Sequence, residues 1–335
     1  MNYKNIFLCL FIGLFIFERA KAQTLYFPEP RPGVEVRIKY LGQIPDISRE
    51  SESNFLDFLF GEKKELELPD YLGKPYGVVA VGSTVFFTDT AHALIYSYNL
   101  KTKKLKDLHF PIPFELPMGI TFSKKKRILY ISDAKLQKVF GFNTKGQLVV
   151  AIGRKGEFKK PVGLAVDDDL NRLYVVDTFD HRIKVYDLDG NYLFGFGRRG
   201  DGPGEFNYPT NIFVNKNNSN IYITDTQLFR IQVFTKDFEH ILTIGGIGDL
   251  PGRFARPKGI AVDSDGNIYV VDAAFNNFQI FSSEGDLLYY IGGPGFGPAE
   301  FLLPAGIYID EKDRIFVVDS LNKRIQIFKY LKKEK

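Results

Sequence analysis

Leu173-Tyr174-Val175-Val176-Asp177 decides how this chain is read. A short run of strand-forming residues ends on an aspartate, and the same design returns along the chain. It occurs as Val85-Phe86-Phe87-Thr88-Asp89, Leu129-Tyr130-Ile131-Ser132-Asp133 and Ile221-Tyr222-Ile223-Thr224-Asp225. It occurs again as Ile268-Tyr269-Val270-Val271-Asp272 and Ile315-Phe316-Val317-Val318-Asp319. Successive aspartates stand 44, 44, 48, 47 and 47 residues apart. Short strands repeating about every 40–50 residues mark a β-propeller with one blade per repeat. The expectation is an all-β, six-bladed propeller of four-stranded antiparallel blades. Blades bury their faces only against one another, so 23–335 reads as one domain, although the length alone suggests two.

The sequence around the quoted stretch lays out a whole blade. Pro161-Val162-Gly163-Leu164-Ala165-Val166 reads as a buried inner strand, and Asp167-Asp168-Asp169 with Asn171 as its turn. The second strand ends at Asp177, and the loop Thr178-Phe179-Asp180-His181 follows. Arg182-Ile183-Lys184-Val185-Tyr186 alternates polar with apolar, as a half-buried strand does. Asp189-Gly190 then turns the chain into an outer strand over 192–196. The other inner strands open at Pro75, Pro117, Pro209, Pro257 and Pro304, where no ladder donor is needed. The blades lie roughly at 70–110, 115–154, 159–198, 207–247, 255–293 and 302–330. The last shows only three strands. Residues 34–43 resemble the outer strand at 287–292, and they are expected to complete blade six and remove its open edge. Residues 47–65 then form an elaborated connection with a short helix near 55–60.

These motifs resemble the NHL-repeat family of propellers. The resemblance rests on the opening Pro-x-Gly, the aspartate closing the second strand, and the pairs Arg182-Ile183, Arg230-Ile231 and Arg324-Ile325. It rests also on the loops Gly200-Asp201-Gly202-Pro203-Gly204-Glu205-Phe206 and Gly295-Phe296-Gly297-Pro298-Ala299-Glu300-Phe301. It covers roughly residues 70–330. Units one, two and five depart from it, with Leu94, Lys138 and Asn277 at the arginine position.

The first 22 residues differ from the rest. The apolar run 6–17 precedes Ala20-Lys21-Ala22, which reads as a secretory signal peptide cleaved after Ala22. The run is short for a membrane span, which takes about 20 residues, though an uncleaved anchor is the alternative. A secreted or periplasmic, cell-envelope location follows. The single cysteine, Cys9, lies in this run, so the mature chain offers no disulfide, thiolate ligand or thiol nucleophile. Loss of Lys4, Arg19, Lys21 and Glu18 brings the formal net charge from +4 to +2. A near-neutral chain argues against nucleic acid as partner, and no membrane span remains after cleavage.

The repeated residues read as building devices. Asp89, Asp133, Asp177, Asp225, Asp272 and Asp319 each stand where the backbone turns and accept amides from the loop. Arg182, Arg230 and Arg324 pair with a nearby aspartate or loop carbonyl. Chemistry finds few candidates. His92, His109, His181 and His240 fall in different places, whereas zinc needs three or four converging ligands. The resemblance implies axial histidines for an amidating lyase and axial carboxylates for a lactone hydrolase, and no opening holds either. Asn211 stands where Pro-x-Gly expects glycine. The segment 195–200 fits G-x-G-x-x-G, but it joins two strands rather than opening a helix.

Apolar residues in the loops after each aspartate are the more unusual feature: Leu136, Phe179, Leu228, Phe229, Phe275 and Leu321. Propeller geometry places them on one face with Tyr76, Met118, Tyr208 and Asn211. Together they form an apolar rim that marks a partner site, or they fold back between the blades. Lys74, Arg256 and Lys258 add positive charge. The resulting reading is a non-catalytic binding scaffold for a protein, peptide or other ligand, with no cofactor. The alternatives are a lyase or lactone hydrolase using a divalent cation at the axis, and a structural subunit of an envelope assembly.

Overall fold

The two-residue alternation in each repeat folds as antiparallel strands. The computed structural model describes residues 25–29, 35, 37–45 and 72–332, and arranges them as six blades of four antiparallel strands in a ring. Blade one runs outward through Pro75–Val81, Thr84–Asp89, Leu94–Asn99 and Lys104–Leu108. The inner strands of the following blades are Pro117–Ser123, Pro161–Asp167, Pro209–Val214, Pro257–Val262 and Pro304–Ile309. The described residues hold no α-helix, only a 3-10 turn at Thr226–Leu228.

Each inner strand pairs its opening proline with the aspartate that ends the second strand, as Pro75 does with Asp89, and a bulge follows. That register puts every strand opening and every loop after an aspartate on one face, called here the loop face. The first turns of the blades lie on the opposite, turn face. The aspartates are buried and act as turn anchors. Asp89 accepts from the N–H groups of Gly73, Lys74, Ala91 and His92 at 2.6–3.2 Å. The opening glycines permit close approach between blades. A Cβ on Gly119 would meet the Val162 carbonyl oxygen at 2.1 Å. Hydroxyls pin the same joints: Thr88 donates to the Met118 carbonyl at 2.7 Å and Ser132 to that of Val162 at 2.6 Å.

Packing between blades is completed by one phenylalanine from each of four connecting loops. Phe158, Phe206, Phe254 and Phe301 are all essentially inaccessible to solvent. Each buried ring contributes about 1.5–3 kcal/mol from area alone. Gln232, Gln279 and Gln326 clamp three of these loops by donating to a loop carbonyl and accepting a loop N–H.

The ring closes at blade six. The outer strand expected over 34–43 runs over Ile38–Ile44 and pairs antiparallel with Arg324–Tyr330. Its position follows burial: Ile38 and Ile44 point into the cores on either side of the blade. Tyr26–Phe27 adds a fifth strand outside it, unforeseen in the sequence, with Phe27 packed on Phe328. Arg324 fastens the joint by donating to Asp319, to Gln43 of the closing strand and to the carbonyls of Phe296, Gly297 and Glu300. Arg230 makes the equivalent contacts to Asp225 and to the loop at 201–205. Arg182 does not pair as expected. It is exposed, and Lys184 two residues later reaches Asp177 at 2.8 Å and Asp180 at 3.1 Å. Alternation explains the exchange, since residues two apart share a strand face and the longer fork of Arg182 is not required. The segment 1–22 read as a signal peptide and the connection expected to carry a helix near 55–60 lie outside the described residues.

Candidate functional site

The residue before each opening proline stands at the axial mouth of the loop face. Around the ring these are Lys74, Leu116, Lys160, Tyr208, Arg256 and Leu303. Cationic and apolar side chains therefore alternate, with the cations on blades one, three and five. Lys258, just after its proline, adds a fourth cation. Asp133 and Asp177 hold the N–H groups of Leu116 and Lys160, which fixes these openings. Tyr208 and Leu303 instead take a left-handed backbone, with φ of 54° and 52°, and donate to His181 and Asn276 of the preceding blade. A non-glycine residue pays about 1–2 kcal/mol for that conformation, and it holds the Tyr208 ring at the mouth.

Below the mouth lies an axial cavity of about 90 Å³, lined among others by Tyr76, Thr210, Asn211, Ile120 and Tyr308. That is room for a few waters or one small side-chain group. Asn211 uses its side-chain oxygen on the N–H of Ile212. At the turn face the cavity ends on Lys124 and Lys216. Glu311 ion-pairs with Lys124 and stands 3.9 Å from Lys216. These three come from blades two, four and six, so the turn-face end carries its own counter-ion.

The loop-face mouth does not. Desolvation pushes the Lys258 amine down to about 8, and the nearby charges of Arg256, Lys160 and Lys74 push the same way. None of the charges acting on it is a carboxylate. No ion pair involves these four cations among the described residues, whereas the neighbours Lys135, Lys159 and Lys184 pair with Glu115, Asp180 and Asp177. Lys160 lies over the Phe179 ring at 4.6 Å. Burial pushes the Tyr76 hydroxyl up to about 12, opposed by Arg256, so it remains a neutral donor near pH 7.

The loop residues named from the sequence divide. Phe179 is 49% exposed, Leu321 55% and Tyr208 38%. Phe179 and Tyr208 meet edge to face at 5.7 Å. Phe229 packs against the core between blades four and five, and Leu136 against the aromatic cluster of blade two. Leu228, Phe275 and Met118 are half-buried. The apolar rim is thus interrupted, because several tips fold against adjacent blades. Sequence reasoning missed Lys160, although it holds the same place before proline as Lys74 and Arg256. It also missed Lys124, Lys216 and Glu311, whose common position in the first turn of alternate blades was the available signal. Among the described residues, no three His, Cys, Asp or Glu side chains are grouped to hold a metal ion. His181 accepts from the Tyr208 N–H, and burial holds its imidazole below the usual range.

A family model described as a 6-bladed beta-propeller matches residues 114–193, 164–244 and 262–331. No curated protein sequence matches the chain. Virginiamycin B lyase from Staphylococcus aureus is 17% identical, with 77% of this chain and 95% of that chain covered, at a TM-score of 0.57. A gluconolactonase from Xanthomonas campestris is 16% identical, covering 78% and 88%, at 0.62. An auxiliary nutrient binding protein from Bacteroides thetaiotaomicron is 14% identical, covering 78% and 70%, at 0.61. At such identities the likeness is one of fold.

Proposed function

The chain belongs to the 6-bladed beta-propeller family, and on that footing we propose that it is a non-catalytic, extracytoplasmic binding scaffold. Its axial loop face takes a protein, peptide or other ligand. The observation that carries this reading is the alternation of cations with Leu116, Tyr208 and Leu303 around an open mouth. Charge without a counter-ion beside apolar surface is a combination that a bound partner satisfies. The exposed Phe179 and Leu321 extend the same face. Export through the segment 1–22 is part of the proposal, as is the finer NHL-repeat assignment, which the Pro-x-Gly openings and Arg-Ile pairs support. The test is capture of partners from the cell envelope of the source by the mature chain, compared with a Phe179→Ala/Leu321→Ala variant of equal melting temperature. Capture by the variant undiminished from wild type overturns the reading.

A second reading, a lyase or lactone hydrolase using a divalent cation, draws on the fold shared with the virginiamycin B lyase and the gluconolactonase. Asn211 at the axial wall is the one residue that favours it. Elemental analysis of the purified chain separates the two, since stoichiometric zinc or calcium supports the enzyme.

A further inference from the structure

The two ends of the axial channel are built on the same threefold plan and differ in charge balance. At the turn face, Lys124 and Lys216 share Glu311, so part of their charge is met within the ring. At the loop face, Lys74, Lys160, Arg256 and Lys258 make no ion pair among the described residues, and the carboxylates of Asp89, Asp177 and Asp272 are engaged with the backbone N–H groups of Lys74, Lys160 and Arg256. Crowding four like charges disfavours the folded state unless something else gains from it. The intervening positions are Leu116, Tyr208 and Leu303, which a bare inorganic ion does not use. Successive side chains of an extended chain point to opposite sides, so a segment in which carboxylate and apolar residues come in pairs presents both kinds on one face and matches both sets. The cavity of about 90 Å³ beneath admits at most a small group, so such a chain lies across the mouth rather than inside the ring.

Resting on the binding-scaffold reading above, we propose that the loop-face mouth binds an acidic peptide segment, its carboxylates paired with Lys74, Lys160, Arg256 and Lys258 and its apolar side chains set against Leu116, Tyr208 and Leu303. A near-neutral chain with so local a basic patch suits a short acidic stretch better than a long polyanion. Phe179, with Lys160 above its ring, extends the contact surface outward.

The experiment uses the full chain and a fluorescent peptide of glutamate-glutamate-leucine-leucine repeats, read by anisotropy, with a lysine-lysine-leucine-leucine peptide as control. The mouth variant is Lys74→Gln/Lys160→Gln/Lys258→Gln. The charge-matched control is Lys101→Gln/Lys145→Gln/Lys236→Gln, three turn-face positions remote from the mouth. The expected result is binding of the acidic peptide alone, weakened at least tenfold in the mouth variant and less than twofold in the control. No binding by wild type, or equal loss in both variants, overturns the proposal. Displacement by inorganic phosphate as effective as by unlabelled peptide assigns a small-anion site and overturns it as well. One intramolecular occupant has a clear outcome. Residues 46–71 lie in sequence between the strands Ile38–Ile44 and Pro75–Val81 and carry eight carboxylates against three basic side chains. Binding seen only after those carboxylates are changed to amides replaces the external peptide by the chain's own segment. An envelope partner captured equally by wild type and mouth variant sinks this inference and leaves the binding scaffold standing. Loss of capture confined to Phe179→Ala/Leu321→Ala does the same.

Discussion

Replacing Lys258 by methionine should make the protein more stable at neutral pH, which few charge deletions do. The side chain sits at the axial mouth, and desolvation together with Arg256, Lys160 and Lys74 lowers its amine from 10.5 to about 8. That gap corresponds to roughly 3 kcal/mol at 1.36 kcal/mol per pH unit. The open side of the mouth screens part of it, leaving about 1–3 kcal/mol. The sign follows from proton counting. Between pH 8 and 10.5 the unfolded lysine holds its proton and the folded one has lost it, so stability rises with pH through that window. Below pH 8 both forms are charged and the folded state carries the whole penalty. Methionine fills a similar volume without charge. Denaturant unfolding of both chains at pH 7, 8, 9 and 10.5 measures the effect. The variant should lead by about 1–3 kcal/mol at pH 7, and the lead should shrink towards zero by pH 10.5. A variant less stable than wild type at pH 7, or a lead that ignores pH, refutes the reasoning.

Arg324→Ala should cost about 3–5 kcal/mol, because it leaves the buried Asp319 carboxylate short of its charge partner. Arg182→Ala should stay within about 0.5 kcal/mol, since Lys184 serves Asp177 instead. Thermal melts of the pair should differ by roughly 6–10 °C at about 2 °C per kcal/mol, and equal shifts would show that the repeat position rather than its contacts matters. Gly119→Ala places a Cβ 2.1 Å from the Val162 oxygen. It should destabilise by about 1–3 kcal/mol or more, whereas a chain of unchanged denaturation midpoint would mean that blades two and three tolerate separation.

The ring was legible because its blades are bounded by residues with local jobs. Asp177 and its five counterparts mark strand ends through backbone amides close at hand, and proline and glycine mark the openings. The strand completing blade six was legible for a related reason, since its sequence echoes an outer strand. What escaped the sequence depended on neighbours in space. Nothing local tells Phe229, which packs against the core between blades four and five, from Phe179, which stands exposed. Arg182 carries the family motif yet loses its partner to Lys184, because either length of side chain can reach the same anchor. The mouth of alternating charge exists only once residues 74, 160 and 256 are brought round one axis, and sequence order separates them by whole blades.

Closure by Gln43 and Arg324, 281 residues apart, also sets a clock on synthesis. At about 5–20 residues per second, the ribosome takes roughly 15–55 s to travel from one to the other. Throughout that interval the segment 38–44 is a strand without its blade-six neighbour, bearing Ile38 and Ile44 for cores not yet made. A product truncated before Arg324 never receives the clasp. The order of strands thus works as a completeness check, by which only a chain translated through blade six can cover the strand that closes the ring.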